Sequence, residues 1–281
     1  MSQPRTIVIA PKRGFQLIDW RELWAYRDLI YFLVRRDVKV RYVQSVLGFL
    51  WAIIRPLSTM VVFTVVFGRL AEIPSDGIPY PIFSYAALVP WTYFSSSLTA
   101  ATGSLVGNNL LSKVYFPRLI IPLNPVLSNL VDFAIALSMV GVIMAFYGIA
   151  PTAAIAFLPF LVLLMMLTAS GLGMWLSAMA IQYRDVKFML GFLSSILMYA
   201  APVVWPASLI ADKFPEHGAT LRLLYGIYPM AGVIEGFRAA LIGARPMPWD
   251  LIVPGAISAL VIWLSGALYF RQRERFFADI F

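Results

Sequence analysis

Six apolar stretches, each long enough to cross a bilayer and separated by short basic loops, constrain what this 281-residue chain can fold into. They run Leu47–Gly68, Pro81–Leu105, Asn124–Tyr147, Thr152–Ile181, Val186–Pro206 and Asp250–Phe270. A spanning helix needs about 20 apolar residues at a rise of about 1.5 Å each. Hydrocarbon offers the backbone no hydrogen-bond partner, so a spanning run must be a helix or a strand of a closed barrel. Barrel strands alternate polar and apolar residues, whereas these blocks are apolar on all sides. The expected fold is therefore all-α: a polytopic membrane protein with six transmembrane helices. An N-terminal amphipathic interfacial helix and short re-entrant outer helices between spans five and six complete it.

An apolar content of 60% with only 13% charged residues excludes a soluble globular domain and a disordered chain alike. With no cysteine there is no disulfide framework, thiolate metal site or thiol nucleophile. No apolar core precedes a small-residue cleavage site in the first 20 residues, so the first span is expected to act as the membrane-targeting signal.

The net charge of +8 is a topology signal before it is a nucleic-acid signal. With the N-terminus placed in the cytoplasm, the inner side holds sixteen Lys and Arg residues, nine of them before the first span. The outer side holds five, Arg69, Lys213, Arg222, Arg238 and Arg245, and Arg55 lies within a span. Positive residues mark cytoplasmic loops, which predicts that both termini are cytoplasmic and that nucleic acid is not a partner. Two parts are expected: residues 1–46 as a cytoplasmic tail and interfacial helix, and residues 47–281 as the transmembrane domain.

Between Asp19 and Asp37 the pattern is amphipathic. Arg21, Glu22, Asp28, Arg35 and Arg36 share one side; Trp20, Leu23, Trp24, Tyr26, Ile30, Tyr31 and Val34 share the other. Such a helix suits the lipid head-group region, with Arg27, Arg35 and Arg36 reaching the head groups. Pro74, Asp76-Gly77 and Pro79 signal turns in a short outer loop. The second span carries Ser95, Ser96, Ser97, Thr99, Thr102 and Ser104, which suit close helix packing or a wet wall. Within 206–249, the apolar pieces Leu221–Gly226 and Ala231–Gly243 are too short to span, which points to a re-entrant outer gate.

The catalytic vocabulary is poor. The single histidine, His217, excludes paired His ligands and a His-based triad, and no metal site is expected. No phosphate-binding loop of the Gly-x-x-x-x-Gly-Lys-Ser/Thr kind occurs, and no GxSxG elbow.

Arg55 and Asp132 are the charges deep within spans, each about 12 Å from the cytoplasmic end at the helical rise. A charge at such depth costs about 2.5–3.5 kcal/mol on insertion scales, so each needs a partner or a wet pathway. Matching height suggests an intramembrane pair; the other reading has Arg55 facing a lumen and an anionic group. Trp51, Arg55, Thr59 and Phe63 form one stripe at a spacing of four. Phe188, Phe192, Ser195 and Tyr199 form another. Aromatic faces with hydroxyls suit a sugar path, while ordinary helix packing accounts for either stripe alone.

Several segments together resemble a known family. Arg35-Arg36-Asp37-Val38-Lys39-Val40-Arg41-Tyr42, Gln44 to Trp51 and Pro56 resemble the entry into the first span of ABC-2 type permeases. Within that family they look most like the subunits that export O-antigen, capsule or teichoic acid. Lys113-Val114-Tyr115-Phe116-Pro117-Arg118, Tyr183-Arg184-Asp185-Val186 and Pro229 to Arg238 extend the match across roughly residues 20–275. The resemblance implies a homodimer of permeases in the bacterial inner membrane, bound to membrane lipids and to two copies of a separate ATPase that holds the ATP and Mg. This chain itself would carry no cofactor. It further implies a substrate polysaccharide linked to polyprenyl pyrophosphate and threaded outward between the permeases. Lys113, Tyr115, Phe116, Pro117 and Arg118 would couple to the ATPase; Tyr228, Pro229, Glu235, Phe237 and Arg238 would form the outer gate. Two positions depart from the family pattern: Arg55 where Gln is usual before the proline, and Tyr228 where Asn is usual before Pro229. Other readings are the same architecture exporting a drug or small lipid, and a membrane-embedded glycosyl- or acyltransferase.

Overall fold

The computed structural model describes residues 20–43, 47–106 and 116–274, and among these the secondary structure is helical with no strand. We number the helices α1 (Trp20–Ala25), α2 (Arg27–Val43), α3 (Trp51–Phe63), α4 (Tyr80–Gly103), α5 (Ile120–Phe146) and α6 (Leu158–Gln182). They continue as α7 (Asp185–Ala200), α8 (Ser208–Lys213), α9 (Gly218–Tyr225), α10 (Pro229–Leu241) and α11 (Trp249–Glu274). The last turns of α3 widen into a π-helical segment, Thr64–Leu70, closed by the Ala71 N–H bonding the Val66 carbonyl at 3.0 Å.

Helix α4 is the hub. It packs against α3, α5, α6, α7 and α10, and 17 of its 24 residues are buried. That position explains its composition. Ser84, Ser97 and Thr102 are buried in protein, and Thr102 returns its hydroxyl to the Leu98 carbonyl at 2.8 Å. Tyr93 donates to the Val126 carbonyl of α5 at 2.8 Å, and Tyr80 to the Val204 carbonyl at 2.7 Å. A helix enclosed by other helices satisfies its polar groups from its neighbours, so it need not be as apolar as one facing lipid.

Among the described residues, four helical segments are long and apolar enough to cross a membrane: Gly48–Leu70, Ile120–Phe146, Ala153–Gln182 and Trp249–Glu274. They correspond to spans one, three, four and six of the sequence reading. The other two fall outside that group for different reasons. Helix α4 has the length, about 36 Å at the helical rise, but its hydroxyls, tyrosines and prolines lower its hydropathy. Helix α7 has only 16 residues, about 24 Å, short of the roughly 30 Å hydrocarbon thickness. Its chain continues through the buried turn Ala201–Val204.

The segment expected as an outer gate forms α8, α9 and α10. In α10, 12 of 13 residues are buried against α4, α6 and α11. It is a core element wedged among the long helices.

Helices α6 and α11 approach each other backbone to backbone. A Cβ on Gly171 would lie 2.7 Å from the Trp263 Cα, and one on Gly266 would strike the Gly171 carbonyl oxygen. Small residues let membrane helices close their backbones together, gaining dispersion contacts that lipid cannot match. Gly266→Ala is expected to cost about 1–3 kcal/mol of stability through overpacking. Thermal unfolding in detergent measures it, with Gly141→Ala as the control, because nothing lies within 4 Å of a Cβ there.

Candidate functional site

At one end of the bundle, α2 lies along the beginning of α5. Leu33 is buried with Phe116, Ile120, Ile121, Met174 and Phe270, which joins α2 to the ends of α5, α6 and α11. Tyr26, Leu29 and Ile30 pack against the same cluster. Trp24, Tyr31 and Phe32 stay exposed, as do Arg27 and Arg35. The apolar arc read from the sequence therefore divides in two: the protein takes one half, leaving the other half and the arginines exposed. Arg27 lies 5.6 Å from the Trp24 ring and 3.8 Å from Asp28; Arg36 pairs with Asp37 at 2.8 Å.

Of the expected coupling residues, Lys113 and Tyr115 lie outside the described residues. Phe116 is a buried anchor of the cluster, not an exposed docking side chain. Arg118 donates to the Glu274 carbonyl at 2.7 Å, tying this loop to the end of α11, and Pro117 is half-buried beside it.

Asp132 of α5 does not pair with Arg55. Its carboxylate accepts from the Arg41 guanidinium and the Tyr42 hydroxyl, both at the end of α2. Equal depth was a poor guide because α2 folds back against α5 and brings its own cation to the carboxylate. Burial, and after it the hydrogen bond to Asp132, pushes the Tyr42 phenol above its ordinary value. Arg55 instead rests 5.7 Å from the Trp51 ring, and among the described residues no ion pair includes it.

Arg55 and Asp132 nevertheless line one open-sided cavity of about 450 Å³, bordered by α3, α4, α5 and the end of α2. Its apolar side is Trp51, Tyr93 and Phe133; its polar side is Thr92, Ser96 and Asn129. Asn129 is buried and donates to Ser97 at 3.1 Å. Pro56 has no N–H to give the Ala52 carbonyl, and both residues line the same space. Thr59 hydrogen-bonds the Arg55 carbonyl at 3.0 Å, and Phe63 is buried against Phe67. The second stripe does not join this cavity. Phe188 (83% exposed), Phe192 (71%) and Tyr199 (56%) lie on the outward face of α7 with Ser195, which bonds the Gly191 carbonyl.

At the opposite end, Arg238 of α10 is enclosed. It donates to the Phe83 carbonyl at 3.2 Å, the Val203 carbonyl at 2.8 Å and Glu235 at 3.0 Å, and lies 3.5 Å from the Phe83 ring centroid. Glu235 also accepts the Ala207 N–H at 2.8 Å. Phe237 is fully buried edge-on to Phe133, and Pro229 is buried at the first turn of α10. Tyr228, at the N-cap position, makes no capping bond; its hydroxyl reaches the Leu197 carbonyl of α7 at 3.2 Å. The residues expected as a gate are thus part of a hydrogen-bonded lock. Asp76 extends it, accepting from Ser208 at 2.8 Å and pairing with Arg245 at 2.9 Å. Sequence reasoning took Asp76 only as a turn residue. It quoted Arg41 and Tyr42 within a family motif but gave them no role, having ended the amphipathic stretch at Asp37, whereas α2 runs on to Val43.

These features define an integral membrane protein whose polar side chains gather at a cavity in the helix wall and at a lock on the far end. The chain belongs to the ABC-2 type transporter family, whose sequence pattern matches residues 28–242. It is similar to the O-antigen export system permease protein RfbA of Myxococcus xanthus, 30% identical over 92% of this chain and 98% of that protein. The protein of the same name from Klebsiella pneumoniae is 24% identical over 90% and 95%. The capsule polysaccharide export inner-membrane protein CtrC of Neisseria meningitidis serogroup B is 24% identical over 88% and 91%.

Two expectations follow from the geometry. Arg238→Gln leaves Glu235 buried without its cation and should cost about 3–5 kcal/mol, read as a fall in the thermal midpoint. A double-mutant cycle on Arg41→Gln and Asp132→Asn should give a coupling of about 0.5–3 kcal/mol, larger than that of Arg55→Gln with Asp132→Asn, two residues that share a cavity without a direct bond.

Proposed function

We propose that this chain is the membrane-spanning subunit of an ATP-driven exporter that carries a polysaccharide, of the O-antigen or capsule kind, across the bacterial inner membrane. The observation that carries this reading is the end-to-end similarity to a protein named as an O-antigen export permease, 30% identical over 98% of its length. The chain has no nucleotide-binding motif, so ATP and Mg belong to a separate ATPase, two copies of which would serve a permease homodimer. The bundle end carrying α2, Arg118 and the end of α11 would face the cytoplasm, consistent with sixteen of 22 basic residues falling on that side. Coupling would pass through the 113–118 loop into the cluster that Phe116 anchors. The glycan would travel on a polyprenyl-pyrophosphate lipid between two permeases, with the exposed aromatic face of α7 bordering that path.

Deleting the gene in its source bacterium should abolish surface polysaccharide and leave lipid-linked glycan on the cytoplasmic face, measured by surface labelling and lipid extraction. Unchanged surface polysaccharide would overturn the reading.

A further inference from the structure

The cavity beside α3 holds one positive charge more than its own residues neutralise. Arg41 and Arg55 line it together with a single acid, Asp132. Asp132 is already committed to Arg41 and to the Tyr42 hydroxyl, which leaves the Arg55 guanidinium without a carboxylate among the described residues. A guanidinium is a planar cation whose fork of N–H donors matches an oxyanion. Lipid tails cannot solvate such a group, and a charge within a span needs a partner or a wet pathway.

The rest of the lining narrows the choice of occupant. At about 450 Å³ the space is in the range that takes a small organic group and is far larger than a bare ion requires. Trp51 offers an aromatic face next to the guanidinium. Thr92 and Asn129 add hydroxyl and amide groups to the same lining. An aromatic platform, short polar side chains and a two-pronged cation together suit a ring that is apolar on its face, hydroxylated at its rim and anionic at one substituent. Ser96, Thr99 and Ala100 are exposed on an otherwise buried helix, so the cavity has an open side next to Ser96 and need not be entered through the core.

We propose that this cavity binds an anionic oxygen group of the exported material, a carboxylate or a phosphate, on the Arg55 guanidinium, with the attached ring against Trp51. The proposal rests on the export reading and adds to it that the cargo is anionic where it passes this wall. Such a group has two sources: an acidic sugar in the glycan, or the phosphate of its lipid carrier.

The test uses the permease assembled with its ATPase in nanodiscs of zwitterionic lipid. Binding of a glucuronic-acid tetrasaccharide is compared with that of an uncharged glucose tetrasaccharide, and then with a short-chain polyprenyl pyrophosphate. Wild type should favour an anionic probe over the neutral one by about tenfold, the size of one charge-assisted contact, and Arg55→Gln should bring that ratio to about one. Preference for the uronate assigns the site to the glycan; preference for the pyrophosphate alone assigns it to the lipid. Loss of that preference in nanodiscs containing phosphatidylglycerol would mean that a membrane lipid fills the cavity in place of cargo, and would overturn the proposal. If Arg55→Gln loses stability, Arg55→Lys replaces it, keeping the charge without the two-pronged geometry. A reduced preference in that variant supports the site, and an unchanged one overturns it. Equal binding of all three probes by wild type also overturns the anion site. It would leave the export reading standing, since that reading falls only if the gene deletion spares surface polysaccharide.

Discussion

Arg238 ties together what the long helices alone would leave separate. One guanidinium holds a carbonyl of α4, a carbonyl of the turn after α7, and the carboxylate of Glu235, which in turn holds the Ala207 N–H. Away from water these donors and acceptors have no alternative partners, so each bond is costly to lose even though its net gain on folding is modest. The consequence reaches well beyond one residue. The connection between α7 and α11 contains no helix long enough to span, and it is fixed in place because its backbone is bonded to α4 and α10. Asp76 adds the preceding loop to the same lock through Ser208 and Arg245.

The same rule explains the asymmetry between the two ends of the molecule. At the Arg238 end every strong cation and acid discussed has found a partner. At the α2 end, Asp132 has been taken by Arg41 and Tyr42, and Arg55 is left beside an open cavity. A lock and a vacancy in charge thus arise from the same residue types, separated only by how many elements converge on them. Helix α4 serves both ends, contributing the Phe83 carbonyl to one and Thr92 and Ser96 to the other.

Much of the helical plan was legible in the chain. Long apolar runs with matching loop signals located α3, α5, α6 and α11, because a spanning helix must be apolar along its whole length whatever packs beside it. The sequence also placed a span at Pro81–Leu105, where α4 runs, but not its burial inside the bundle. Its hydroxyls and tyrosines are satisfied by neighbours, and hydropathy does not distinguish a polar group with a partner from one without. The candidate site was legible in its members and not in its pairing. Trp51, Arg55 and Asp132 stood out as unusual residues, but the partner of Asp132 came from an element read as lying apart at the lipid interface. Phe116 stood out as part of a coupling loop, yet the side chain is a core anchor, since a loop can present its backbone outward while its aromatic residue points in.

The sequence by itself determined the class of environment, the helical secondary structure and the family, because apolar run length, charge asymmetry and ordered local motifs are properties of the chain that no fold can alter. Tertiary structure alone decided which charges meet. Arg55 and Asp132 were expected to pair because residue counting gave them equal depth, and Arg238 lies in a segment that composition assigns to the outer surface. What separates the first two and encloses the third is the approach of α2 to α5 and of α10 to α4. Those approaches depend on contacts between residues some 90 to 155 positions apart in the chain, which no local pattern encodes.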